Sequence, residues 1–215
     1  MSTVTTSGPG GAACDASDAR ALATARFGGI TLARHGEPAL SRRVRLDAAG
    51  YRRWWATYET GGILPGQTPP PGLLDIARRA DVIFASVRPR AIETAQAVAG
   101  GKTFAREPLL VEAPLPPPSL PRWVRLSPKI WGFVARAAWW FFGHSEGQET
   151  RAAAEVRARA AVDRLTEAAG SGRDVLVLAH GFFNAMLARE LKRRGWRQVS
   201  GRGHRYWTAR RYERG

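Results

Sequence analysis

The chain has 215 residues and a mass of 23.5 kDa, enough for one domain with a buried core and one sizeable insertion. Hydrophobic residues make up 44% and charged residues 24%, which excludes wholesale disorder. A single cysteine, Cys14, excludes an intrachain disulfide framework or a Cys-based zinc site, and fits a reducing compartment such as the cytoplasm. The formal net charge is +15, from 33 Lys and Arg against 18 Asp and Glu, which favours an anionic partner without separating phosphate ester, anionic lipid and nucleic acid.

Residues 1–27 are small and polar up to Ala13 and Ala-rich thereafter. They read as a disordered or weakly ordered arm with room for a short helix at its end. Met1–Gly11 has neither a basic nor an apolar leader region, so no secretory signal is expected. Residues 28–215 read as a single domain. Ile30–Ala33 is a short apolar run with β-branched residues, the pattern of a buried strand. Asp47–Tyr58 reads as a helix with Asp47 as N-cap. Pro65–Gly72 is a loop, Leu73–Ala80 a short helix, Val82–Ser86 a second buried strand. Pro89–Gly100 is a helix with Pro at its start and Gly at its end.

Leu110–Pro121 is Pro-rich and irregular, and Gln148–Ala169 is a long Ala-, Glu- and Arg-rich helix. Val175–Ala179 is the clearest buried strand. It is followed by a helix over Phe182–Arg194 and a final edge strand over Tyr206–Tyr212. Strands alternating with helices predict an α/β fold, a three-layer α/β/α sandwich around a mostly parallel sheet. No run reaches the ~18 apolar residues of a membrane span.

Pro128–Phe142, within a candidate cap insertion at about 113–146, is apolar nearly all round as a helix. Ile130, Phe133, Val134, Ala137, Trp140 and Phe141 share one face; Trp131, Ala135, Ala138, Trp139 and Phe142 fall elsewhere. Such a helix is buried or meets another apolar surface. Three readings are open: a cap over the active site (the preferred one), a peripheral membrane contact through Trp123–Phe142, or a dimer contact. The membrane reading draws on Leu120–His144, which holds Arg122, Arg125, Lys129 and Arg136 and no acid, so that Trp would sit at headgroup level and Arg reach anionic lipid, at the inner face of a membrane. The tail from Lys192 is basic with Trp196, Tyr206 and Trp207 interleaved. It carries no recognisable nucleic-acid-binding module, so its charges are read as guarding the last strand at a sheet edge.

Three strand ends carry the chemistry. The first strand runs into Arg34-His35-Gly36-Glu37, the second into Ser86-Val87-Arg88-Pro89-Arg90, the third into His180-Gly181. Ligands of open α/β sheets bind at the carboxyl ends of parallel strands, so Arg34, His35, Arg90 and His180 are expected to converge on one pocket. Arg offers forked donors that match phosphate oxygens; His offers a nucleophile or donor near neutral pH.

These residues carry a resemblance. Leu32-Ala33-Arg34-His35-Gly36-Glu37 resembles the R-H-G signature of the histidine phosphatase (phosphoglycerate mutase-like) superfamily. Ser86–Ala95 is similar to that family's S-x-x-x-R-A-x-x-T-A element, and Val177–Gly181 to its late strand ending in His-Gly. The resemblance spans roughly Ile30 to Leu191. It implies that His35 attacks phosphorus and becomes phosphohistidine, with Arg34, Arg90 and His180 holding the phosphoryl oxygens and no metal or cofactor required. It places the proton donor to the leaving group at Glu112, with Glu107 as competitor, and makes Glu37 a structural hydrogen-bonding residue.

Ala113–Pro118 and the aromatic segment after it depart from the family pattern, so the resemblance implies the reaction and not the substrate. The expected function is a phosphomonoester hydrolase acting on a phosphorylated small molecule, one that is partly apolar if the aromatic segment borders the site. A phosphomutase of the same fold and a non-catalytic phosphate-binding or membrane-interaction protein are the alternatives; oligomeric state is not read from the sequence.

Overall fold

The computed structural model describes residues 27–215; the expected N-terminal arm and Cys14 lie outside the described residues, apart from Phe27. Six strands form one sheet: β1 (Ile30–Arg34), β2 (Val82–Ser86), β3 (Ala105–Glu107), β4 (Val175–Ala179), β5 (Trp196–Ser200) and β6 (Ala209–Arg214). Their spatial order is β3-β2-β4-β1-β6-β5. The first four are parallel; β6 runs antiparallel to β1, and β5 antiparallel to β6. Six helices accompany them: α1 (Ala48–Thr60), α2 (Pro71–Arg79), α3 (Pro89–Val98), α4 (Pro128–Phe142), α5 (Arg151–Ala168) and α6 (Gly181–Arg193).

The three layers follow from side-chain alternation. Ile30, Leu32, Val175 and Val177 point to one face and pack on Ala154, Leu165, Leu187 and Leu191 of α5 and α6. Ala33, Ile83, Leu176 and Leu178 point to the other and pack on Leu73, Ala77, Ala95 and Val98 of α2 and α3. All five residues of β4 are buried, as a central strand covered on both faces requires. Side chains start several helices, Asp47 at its expected place and Thr150 two residues past the expected start of its helix. Asp47 accepts from Gly50 N–H (2.7 Å) at α1, Thr150 accepts from Ala153 N–H (3.2 Å) at α5, and Pro stands in the first turn of α2, α3 and α4.

Two strands escape the sequence reading. β3 has three residues and is mostly exposed, and β5 buries only Trp196, so neither shows the alternation that reveals a strand. The final strand is also displaced. It begins at Ala209 and lies inside the sheet between β1 and β5, so the edge is β5 and not the last strand. The charges of β6 are partly neutralised in place: Arg211 donates to both Asp174 oxygens at 2.9 Å and to Glu213 Oε1 at 2.7 Å.

Helix α4 has the predicted bounds, but its inner face is the second set of residues without Phe142, which is exposed at the helix end. Trp131, Gly132, Ala135, Ala138 and Trp139 are buried, while Phe133 and Phe141 are among the most exposed apolar residues. The choice follows from polar tips: Trp131 Nε1–H donates to Leu46 O (2.7 Å) and Trp139 Nε1–H to Glu149 O (3.0 Å), so each indole is satisfied when buried. Trp131 stacks on Tyr51 at 5.7 Å between ring centroids, tying α4 to α1. No helix among the described residues is long and apolar enough to cross a membrane.

Candidate active site

The strand register sets the site. Arg34 pairs with Ala179 across β1 and β4, and Ala85 with Leu178 across β2 and β4, so His35, Ser86 and His180 emerge at one level of the sheet rim. The imidazoles of His35 and His180 lie 5.2 Å apart by centroid, inclined at 60°. Both are buried, as is Arg90.

His35 is held in one tautomer. Its Nδ1 is 2.7 Å from Gly36 O; a carbonyl only accepts, so Nδ1 carries the proton and Nε2 keeps its lone pair. Burial, then the charges of Arg90 and Arg34, push the His35 pKa well below the usual histidine value, against the opposing effect of its bond to Gly36. His180 is depressed in the same way, first by burial and then by Arg90 and His35. Both rings are therefore neutral near pH 7. Behind His35, Gly36 N–H donates to Thr94 Oγ1 (2.9 Å), whose hydroxyl donates to Arg90 O (2.6 Å). The threonine of the S-x-x-x-R-A-x-x-T-A element thus ties the loop after β1 to the first turns of α3. Gly36 has a steric reason as well: a Cβ there would stand 2.4 Å from the Trp207 ring. Gly181 leaves room for Arg34, whose Nε would lie 3.1 Å from a Cβ at that position.

Arg90 is not a free cation. Its Nη1 donates to Tyr58 O (2.9 Å) and its Nη2 to Glu59 Oε1 (2.7 Å) at the end of α1, and its guanidinium lies 4.4 Å from the Tyr58 ring centre. The second Glu59 oxygen takes Arg88 Nη2 at 2.7 Å. Arg34 donates to His204 O (2.6 Å) and lies over the Tyr206 ring at 4.2 Å. His180 Nε2 is 2.8 Å from Ser86 Oγ.

Among the described residues, nine buried side-chain nitrogens and oxygens lack a hydrogen-bond partner. Seven belong to this region: Nε of Arg34, Arg42, Arg88, Arg90 and Arg136, the Tyr51 hydroxyl, and His180 Nδ1. Buried polar groups are ordinarily satisfied. Such a concentration of unused donors is what binding an anion would require.

Glu112 lies at the start of α6. Its Oε1 accepts from Phe183 N–H (2.8 Å) and its Oε2 from Phe182 N–H (3.3 Å), so this carboxylate occupies free amides of the helix N-terminus, the kind of donor an anion would otherwise take. Glu107 is occupied otherwise: it accepts from Leu109 N–H (3.1 Å) and lies 3.8 Å from Arg164, with no ion pair to its neighbour Arg106. At Glu37 the backbone, not the exposed side chain, makes the structural hydrogen bonds, through Gln67 and Leu64.

Several side chains here were not assigned to the site from the sequence, although Arg136 and Trp207 were noted in other roles. Arg42 donates to the Tyr206 hydroxyl (2.8 Å) and its charge reaches His35. Arg136 lies over the Phe182 ring at 5.1 Å, and both its Nη1 and the Tyr51 hydroxyl stand within 3.9 Å of where a Gly132 Cβ would be. Trp207 adopts φ +63°, rare for a bulky residue, with its N–H bonded to Arg34 O (3.2 Å) and its indole N–H to Gln67 Oε1 (2.8 Å). Only Ser86 and Thr94 had a signal, as fixed positions of the recognised element.

The solved structures most similar to this chain include a phosphoserine phosphatase from Entamoeba histolytica in complex with 3-phosphoglyceric acid (TM-score 0.52, 15% identity, 78% of this chain and 81% of that chain). A second is mycobacterial hydrolase 1 (TM-score 0.52, 21% identity, 78% and 80%). No curated protein matches the sequence. The model of the histidine phosphatase superfamily (branch 1) matches residues 75–209, a span that holds Arg90, Glu112 and His180 and ends C-terminal to Trp207. With that match over more than half its length, the chain belongs to the histidine phosphatase superfamily, branch 1.

Proposed function

We propose that the chain is a metal-independent phosphomonoester hydrolase working through a phosphohistidine at His35. The observation that carries this reading is the state of His35: neutral, its Nδ1 proton given to Gly36 O, its Nε2 lone pair available, and unpartnered donors of four arginines and His180 around it. Nε2 attacks phosphorus in line; the P–N bond forms as the ester P–O bond breaks. Arg34, Arg90 and His180 hold the equatorial oxygens, so the barrier falls through positioning and charge stabilisation. Ser86 fits this role by donating to His180 Nε2, which leaves Nδ1–H pointing to the phosphoryl group. Glu112 passes a proton to the departing alkoxide and takes one back from the water that attacks the phosphoenzyme. Inorganic phosphate and neutral His35 result.

Aromatic rings stand beside Glu112 and His35. Half-buried Phe182 donates its N–H to Glu112, and Tyr206 lies 5.6 Å from His35. These rings support a partly apolar substrate, such as a phosphorylated lipid or isoprenoid-like ester.

Hydrolysis of a chromogenic aryl phosphate with chelator present tests the reaction. Activity abolished by His35→Ala and indifferent to chelator supports it; folded protein that turns over no ester refutes it. Equal release of phosphate and alcohol separates hydrolysis from transfer to a second hydroxyl. A panel of short- and long-chain phosphomonoesters tests the substrate class, and better turnover of small polar sugar phosphates would reject the apolar one.

A further inference from the structure

We propose that the outer face of α4, with the loop segments beside it, docks this protein onto an anionic lipid surface. Trp123, Phe133, Phe141 and Phe142 are 81%, 72%, 76% and 84% exposed, and Ile130 is half-exposed on the same helix. Scattered exposed apolar residues are ordinary; a contiguous group of large ones marks a contact surface. Among the described residues nothing packs on these rings.

The fold adds charge that the sequence of this segment does not show. Leu46 and Leu126 pair as an isolated antiparallel bridge, which runs exposed Arg43 and Arg45 toward Ser127 and Lys129 and leaves exposed Arg122 and Arg125 on the other side of the same bridge. Lys129 joins them at the start of the helix, sharing a surface groove with Arg42 and Arg43. Neither Pro38–Leu46 nor Leu120–His144 contains an acid. Of the bordering acids, Asp47 caps α1 and Glu146 pairs with Arg52, while exposed Glu37 lines the groove with Arg42, Arg43 and Lys129 and leaves the patch with a cationic excess. Among the described residues Arg43, Arg45, Arg122, Arg125 and Lys129 form no ion pair with an acidic side chain.

Exposed aromatic rings among unpaired cations fit one occupant, a bilayer with anionic headgroups. The rings enter the headgroup–acyl boundary while the cations stay at the surface. At 15 residues, α4 is too short to span and suits lying in the interface plane. A second copy of this chain is disfavoured, because a two-fold contact would set the same cations against one another. Phe142 at the helix end apart, the rings of α4 on this surface face away from Trp131 and Trp139, so the helix packs on the protein with one face and leaves the other for the membrane.

Co-sedimentation of the full chain with vesicles tests the proposal, using phosphatidylcholine alone and phosphatidylcholine with about one third phosphatidylglycerol. Binding is expected only to the anionic vesicles and is expected to fall sharply at about 0.5 M salt. Arg125→Glu and Lys129→Glu should each weaken it about fivefold or more, and Phe133→Ser with Phe141→Ser about tenfold or more, with melting temperatures unchanged. Binding equal on neutral vesicles, absent on both kinds of vesicle, or unchanged in all three variants overturns the proposal. So does sedimentation showing a dimer that the Phe133→Ser, Phe141→Ser variant converts to monomer.

Discussion

Replacing Glu59 by Gln tests the electrostatics of the site without touching a group assigned to the chemistry. Glu59 stands in the last turn of α1 and bonds two guanidiniums, Arg90 at 2.7 Å and Arg88 at 2.7 Å. Gln keeps the shape and one acceptor oxygen. It removes the negative charge and turns an amide donor toward one of two cations that can only donate. Arg90 has no exposed surface; its remaining partners are neutral carbonyls, chiefly Tyr58 O at 2.9 Å.

Removing one partner of a buried pair costs about 3–5 kcal/mol. The retained hydrogen bonds, and partial solvent access to Arg88, place this case near the lower end, about 3 kcal/mol. For a chain of this size that lowers the melting temperature by about 6–12 °C. Phosphate or vanadate supplies the missing countercharge, so either anion should raise the melting temperature of the variant by more than that of the parent. Thermal melts by circular dichroism, with and without the anion, measure both effects. A melting temperature within about 1 °C of the parent, or an anion shift no larger in the variant, would refute the reasoning that Glu59 neutralises a pocket built for an anion.

Other outcomes follow from the same geometry. His180→Ala should lower kcat on an aryl phosphate by about 10²–10³-fold, the scale of one lost transition-state donor, with KM changed far less; loss confined to KM would remove His180 from that role. Gly36→Ala should cost about 1–3 kcal/mol by urea titration, since its Cβ would meet the Trp207 ring at 2.4 Å, and Gly36→Ala with Trp207→Leu should recover most of the loss. Stability should fall on acidification from about pH 7 to about pH 5.5. His35 and His180 are depressed in the fold, so across that window the unfolded chain binds protons that the native one does not. The loss is about 1.2 kcal/mol for each ring, read from urea midpoints; stability flat or rising over this range would contradict two buried neutral imidazoles.

What was legible in the sequence was local. A buried strand followed by Arg-His-Gly or His-Gly is visible within seven residues, and parallel strand order then brings distant ends to one rim. Arg34, His35, Arg90 and His180 could be gathered in this way. Glu59, Arg42, Tyr206 and Trp207 could not, because they act through tertiary contacts: Arg90 meets Glu59 from 31 positions away, and Arg42 meets Tyr206 from 164. The irregular 201–208 segment has no periodicity to read, yet it supplies the carbonyl that holds Arg34 and the rings beside His35. Helix α4 shows a different limit. Hydrophobic periodicity gave its bounds, but two apolar faces are equivalent to a pattern, and the hydrogen bonds of Trp131 and Trp139 decide which one turns inward.

The charges of the pocket explain why so much of its frame lies outside the reacting groups. Arg34, Arg88 and Arg90 meet near two neutral imidazoles, with Arg42 close by, and Glu59 is the acid that pairs with two of them. One carboxylate cannot balance four guanidiniums, and like charges held close oppose folding. The fold offsets this with neutral acceptors and ring faces: Tyr58 O and its ring for Arg90, His204 O and the Tyr206 ring for Arg34, the Tyr206 hydroxyl for Arg42. Carbonyls and rings hold a cation in place without cancelling its charge. The cluster therefore keeps a positive field that favours neutral His35 and, under the proposed function, a dianionic phosphoryl group, at a standing cost in stability that a bound anion would relieve.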